Sequence, residues 1–242
     1  MGTWAILRRT LAADQLLGSV EDLETIGDAR RSAQIAYAGA AGSGRNPVAP
    51  PPHDCFADAM SRLELRAIDV GEGERILAGL PGPQDRWAPD YPFEGDIIAV
   101  TVFLVASDEQ GDQHPFGYYQ IVQRASGEAI GGIGFKGRPV DGCVEIGYGL
   151  APSARGHGYA AEAVSALLSI AARNGITRVV ADTTPDNSAS RRTLERAGFR
   201  LRPSESSQAD GLCDYEITLD GVQRDVTSST GPTPAADPPA TS

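Results

Sequence analysis

The spacing of apolar and polar positions changes several times along the chain, and each change marks an element. Leu63-Glu-Leu-Arg-Ala-Ile68 alternates with the period of a half-buried strand. Glu72 to Leu80 fits a short helix stopped by Pro81-Gly82-Pro83. Asp96 to Ser107 is a largely apolar run. The start signal at Gly95-Asp96 favours a helix there, against its β-branched content. Phe116–Gln123 and Ala129–Phe135 flank Arg124-Ala-Ser-Gly-Glu128, the signature of a hairpin. Cys143 to Leu150 is a further strand. From Ala160 to Arg173 the period becomes helical, with Val164, Leu167, Leu168 and Ala171 on one face and Asn174-Gly175 as the stop. Ile176–Asp182 then predicts a strand, Ser188–Ala197 a short helix closed by Gly198, and Leu212–Leu219 a last strand. Hairpins early and a strand–helix–strand unit late imply an α/β (α+β) domain around one central mixed sheet.

The flanks have a different pattern. Leu11 to Ala38 fits one or two short helices with few large apolar residues, and Gly39–Pro52 reads as a Gly/Pro-rich linker. From Val222 onward there is almost nothing to bury, which predicts a disordered tail. The expected organisation is an extension over 1–60, a folded domain over 61–221 and a tail over 222–242.

Composition narrows the function. The 242 residues carry a formal net charge of −11, which argues against nucleic acid as the main partner. Between Arg155 and Arg202, however, eight Arg face four acids, a basic island suited to a small anionic ligand. Lys136 is the single lysine, against twenty Arg. No apolar run reaches the length of a membrane helix, and no secretory signal is legible at the N-terminus. Three widely spaced cysteines, Cys55, Cys143 and Cys213, fit reduced thiols, so a cytoplasmic location is expected. His53, His114 and His157 lack metal-ligand spacing, and no metal is expected.

The most informative segment is Glu145-Ile-Gly-Tyr-Gly-Leu150-Ala-Pro-Ser-Ala-Arg155-Gly-His-Gly-Tyr-Ala160, where a strand runs into a Gly-rich turn and the turn into a helix. The first N–H groups of a helix have no intrahelical partner and lie at the positive end of its dipole. Gly156 and Gly158 let an anion approach the backbone, Ala160 keeps the helix start clear, and Arg155 can add a charge-assisted contact. The arrangement suits a pyrophosphate. No Gly-Lys-Ser/Thr follows, so it is not a P-loop. A dinucleotide fold fits poorly, because the turn comes late and after hairpins, although the spacing to Asp182 alone does not exclude it. An ordinary strand-to-helix turn that needs glycine also stays open at this point.

A second segment decides among these. Asn187, Ser190, Glu195, Gly198 and Phe199 follow the pattern Asn-x-x-Ser-x-x-x-x-Glu-x-x-Gly-Phe, and Arg155, Gly158 and Ala160 the pattern Arg/Gln-x-x-Gly-x-Gly/Ala. Together they resemble the GNAT acetyltransferase superfamily over about Arg62 to Leu219. Trp87-Ala-Pro-Asp-Tyr-Pro92 followed by Asp96 looks like its ribosomal-protein N-terminal acetyltransferase branch. The resemblance implies a mostly antiparallel sheet with a splayed parallel strand pair, and acetyl transfer from acetyl-CoA to an amine. It implies that the backbone at Arg155, Gly156, His157, Gly158, Tyr159 and Ala160 holds the CoA pyrophosphate, that pantetheine pairs near Leu150, and that Asn187 contacts the cofactor. Arg191 and Arg192, one turn on, are within reach of a CoA phosphate or are simply solvated charges.

Direct attack of an amine on a thioester needs a neutral amine, hence a general base or a water path. Glu145 shares a strand face with Gly147 and Gly149, which leaves room for a substrate; pairing with an Arg is its plain alternative. Asp182 ends the next parallel strand where some relatives carry a catalytic Glu; capping is its plain alternative. Many relatives protonate the departing thiolate with a Tyr seven residues after the Asn, where this chain has Leu194. Ser190 is then the nearest hydroxyl by motif, with Tyr148 and Tyr215 behind it. The oxyanion donor is expected in the backbone near Leu150. Gly131, Gly132 and Gly134 read as packing glycines. The acceptor is a protein N-terminus or a small amine. A catalytically silent acyl-CoA-binding module and a nucleotide-binding regulatory domain are the competing readings. Whether the chain forms a homodimer is open.

Overall fold

The computed structural model describes residues 62–202 and 211–219. The expected helices of 11–38, the linker of 39–52, Cys55 and the tail from 222 lie outside them. Seven strands form one sheet in the order β1-β2-β3-β4-β5-β7-β6. These are β1 (Leu63–Ala67), β2 (Tyr118–Gln123), β3 (Glu128–Phe135), β4 (Cys143–Leu150), β5 (Arg178–Thr183), β6 (Arg200–Arg202) and β7 (Cys213–Thr218). Every neighbouring pair is antiparallel except β4 and β5. The predicted strands all form. β6 is an addition, three exposed residues with too little apolar signal to read.

Among the described residues four α-helices, α1 (Val70–Ala78), α2 (Glu94–Gln110), α3 (Tyr159–Arg173) and α4 (Ser188–Arg196), cover the sheet. α1 begins two residues before the predicted Glu72, because Asp69 Oδ1 accepts the Glu72 N–H at 2.7 Å and caps it there. It ends before Leu80 because Gly79 is left-handed, at φ 70°. The apolar run after Gly95 is helical as expected. At its start Phe93 and Asp96 bond reciprocally: Asp96 N donates to Phe93 O (3.0 Å) and Phe93 N to Asp96 Oδ2 (3.1 Å).

The alternation of the strands sorts side chains onto two faces. Ile121, Ile133 and Ile146 are fully buried with Val164 and Leu167 of α3 and Leu194 of α4. On the other face, Tyr118 packs with Ile76, Leu77, Ile97 and Val100 of α1 and α2. That second face contains a row of small residues. Gly132 pairs with Gly149, and Gly134 with Gly147, across β3 and β4. Where side chains would stand on this row, the start of α2 comes down instead, and a Cβ on Gly149 would collide with the Phe93 ring. The glycines of β3 therefore serve close packing, as their sequence spacing suggested.

Candidate active site

β4 and β5 run parallel, but only Cys143, Val144 and Glu145 pair with Arg178, Val179 and Val180. Beyond that point the two strands splay, while β4 continues to Leu150. Lys136 N donates to Glu145 O and Ala151 N to Ile130 O, so the odd-numbered residues of β4 bond to the β3 side. Peptide groups alternate along a strand, so those of Tyr148 and Leu150 face the opening gap. A strand edge inside a sheet is thus left without its ladder partner. The Leu150 carbonyl is held by Arg155 Nε at 3.0 Å.

The gap leads straight to the Gly-rich turn. After one 3-10 turn at Pro152–Ala154, Gly156 and Gly158 take φ values of 83° and 80°, and α3 starts at Tyr159 with no side-chain cap. A Cβ on Gly156 would meet nothing within 4 Å, so the surface above this backbone is open. The first N–H groups of a 15-residue helix therefore face outward without a side-chain acceptor. Arg62 braces the turn from outside: Nη1 donates to His157 O at 3.2 Å, and its guanidinium lies 4.7 Å over the Tyr159 ring. Arg62 also pairs with Glu162 at 2.8 Å, which offsets the one acid of the first helical turn. His157 stacks on Tyr159 at 5.5 Å. Ser153 ties the turn to the segment before α2, donating its N–H and its hydroxyl to Asp90 at 2.7 and 2.6 Å. Those two hydrogen bonds hold the Asp90 carboxyl below its ordinary range.

At the other end of the gap, the two candidate bases meet at one cation. Lys136 Nζ lies 2.6 Å from Glu145 Oε1 and 2.8 Å from Asp182 Oδ1. Glu145 therefore pairs with the lone lysine rather than with an Arg, and Asp182 caps nothing. Asp182 Oδ2 is buried with no partner. Both residues line a cavity of about 40 Å³ together with Val180, Arg202, Asp214 and Tyr215. Lys136 gave no sign in the sequence beyond its singularity. Its role depends on β3 ending beside Gly147, which is a tertiary fact.

The α4 residues flank the same gap. Asn187 caps α4, its Oδ1 accepting Ser190 N at 3.1 Å. Its NH₂ is not used in the cap. Arg192 is exposed, while Arg191 Nε donates to Tyr215 Oη at 3.2 Å. Leu194 is fully buried, so the position where many relatives carry a tyrosine is here part of the core. The hydroxyl beside Ser190 comes instead from β4: Tyr148 Oη is 3.0 Å from Ser190 Oγ and donates to Ser190 O at 3.2 Å. Burial pushes the Tyr148 phenol up to about 12. Among the described residues there is no cluster of three or more metal-binding side chains. No helix among them is long and apolar enough to cross a membrane.

A family model described as "Acetyltransferase (GNAT) domain" matches residues 62–200. The chain belongs to the GNAT acetyltransferase family. It is an acetyl-CoA-dependent acetyltransferase. A relative, the uncharacterized N-acetyltransferase YjdG of Bacillus subtilis (strain 168), is 39% identical over 152 residues, 58% of this chain and 88% of the relative. Solved structures similar to the chain include an acetyltransferase from Agrobacterium tumefaciens str. C58. That match has a TM-score of 0.47 and 23% identity, over 73% of this chain and 99% of that one. Another is the acetyl transferase of Salmonella typhimurium described as modifying the N-terminal serine of ribosomal protein L7/L12. It has a TM-score of 0.47 and 23% identity, over 66% of this chain and 96% of that one.

Proposed function

We propose that residues 61–221 form a domain that transfers the acetyl group of acetyl-CoA to a primary amine, on a protein N-terminus or a small molecule, in the cytoplasm. The observation that carries this reading is the gap beyond the Glu145·Val180 pair. It joins an uncapped helix start at one end to a cluster of two carboxylates and one ammonium at the other.

In this reading the N–H groups from Arg155 through Gly156, His157, Gly158, Tyr159 and Ala160 hold the pyrophosphate, and the Arg155 guanidinium adds charge. The free strand edge at Tyr148 and Leu150 receives the pantetheine amides, as an incoming strand would be received. One of these N–H groups is the oxyanion donor. Asn187, through its NH₂, and Arg192 contact the cofactor from α4. Glu145 or Asp182 takes a proton from the acceptor amine, and Ser190, with Tyr148 hydrogen-bonded to it, donates toward the thiolate. The cluster of two carboxylates and one ammonium is net negative, which favours a cationic acceptor.

The test is CoA release from acetyl-CoA against a panel of small amines and peptides with free N-termini. Acceptor-dependent release with at least one amine is expected. Calorimetric binding of acetyl-CoA with no release from any amine would leave only a binding module.

A further inference from the structure

We propose that Lys136 is a self-acetylation site, receiving the acetyl group of acetyl-CoA on its own Nζ at the place an acceptor amine would occupy. The inference rests on reading the β4–β5 gap as the site of acetyl transfer. Lys136 follows β3 directly, and its ammonium touches both carboxylates that are candidate bases, at 2.6 and 2.8 Å. Its side chain is only 12% exposed, so this is no loose surface pair. The aliphatic stem lies across Gly147, where a Cβ would stand 3.3 Å from Lys136 Cε. The next residue, Tyr148, is the first of the two whose peptide groups open on the gap. A primary amine thus stands between two carboxylates, with its stem beside the gap in which the proposed reading puts the thioester.

A separate observation concerns the proton. Asp182 Oδ2 is buried and unpartnered on a side chain 3% exposed. That oxygen is an acceptor not engaged elsewhere, on the carboxylate that already touches the ammonium, so it can receive a proton from Nζ without breaking another hydrogen bond. The step balances as follows. The ammonium passes one proton to Asp182, the Nζ lone pair attacks the thioester carbonyl carbon, and a C–N bond forms as the C–S bond breaks. The CoA thiolate takes the second proton lost from nitrogen, and Asp182 returns the first to solvent. The products are Nε-acetyl-lysine and CoA. Acetylation removes the positive charge that Glu145 and Asp182 share, so it also changes the charge met by any other acceptor.

Because the chain has one lysine, mass spectrometry reads the event cleanly. The full chain is incubated with deuterium-labelled acetyl-CoA and no acceptor, then analysed intact and by peptide mapping. One labelled acetyl group on Lys136 is expected, with a first-order rate independent of protein concentration. The rate is expected to fall at least tenfold in Gly158→Trp, and equally under excess free CoA with the wild type, which keeps the test valid if the variant does not fold. Unlabelled acetyl already present on isolation supports the proposal, provided that Gly158→Trp made in the same way lacks it. An unmodified Lys136 in protein that acetylates an added amine overturns the proposal and leaves the acetyltransferase reading intact. A rate unaffected by CoA, or proportional to protein concentration, also overturns it. Protein that neither binds acetyl-CoA nor acetylates any amine overturns the reading of the gap, and the proposal with it.

Discussion

Asp96 shows how one residue serves packing and carries a pH signature. It is 2% exposed, accepts the Tyr118 hydroxyl at 2.8 Å and holds the first turn of α2. Burial outweighs those hydrogen bonds and pushes its carboxyl up to about 7. The folded state therefore binds a proton that the unfolded state has released between about pH 4 and 7. Stability from this group is full below that window and lost as pH rises through it, at most about 1.4 kcal/mol per pH unit. Asp96→Asn removes the titration, so its destabilisation in urea melts is expected to be smaller at pH 8 than at pH 5. At the gap, Glu145→Gln is expected to lower kcat by about 10²-fold or more while leaving the calorimetric affinity for acetyl-CoA unchanged. Asp182→Asn is the comparison. A wild-type rate in the first and a collapse in the second would place the base on β5.

Elements were legible where their periods were strong. The amphipathic pattern of α3 and the Gly-closed ends of α3 and α4 appeared with bounds within about two residues, because capping chemistry is local, whereas α1 was expected to stop at Pro81-Gly82-Pro83 and is closed by Gly79. The apolar run of α2 was decided by its start signal alone. Two predictions belong here. Gly158→Trp places a side chain at the mouth of α3, where only Arg62 lies within 4 Å of a Cβ. The left-handed φ costs about 1–2 kcal/mol, so the domain is expected to fold and to lose acetyl-CoA binding in calorimetry. Gly132→Ala, by contrast, drives a methyl into the Tyr118 hydroxyl and to 2.8 Å from Asp96 Oδ1. Overpacking of that kind costs about 1–3 kcal/mol, to be read as a shifted urea midpoint.

The whole molecule adds a field. With a net charge of −11, encounter with a cationic acceptor is steered and screened by salt, while encounter with a neutral amine is not. The kcat/KM for a basic peptide is expected to fall as salt rises from about 0.05 to 0.5 M, with little change for an uncharged amine. At this scale the division between sequence and structure is sharpest. The sequence by itself determined the order of elements, the uncapped turn from Arg155 to Ala160 and the family, because turns, caps and helical periods are contacts between near neighbours. It also named Glu145, Asp182 and Ser190 as candidates. Only the tertiary structure decided that Lys136 joins the first two and that Tyr148 reaches the third. It also fixed where β4 and β5 part, after Glu145 and Val180, a splay that the resemblance had implied without a position. Those contacts link residues 9 to 46 positions apart, and their geometry depends on how two strands twist away from each other, which no local pattern encodes.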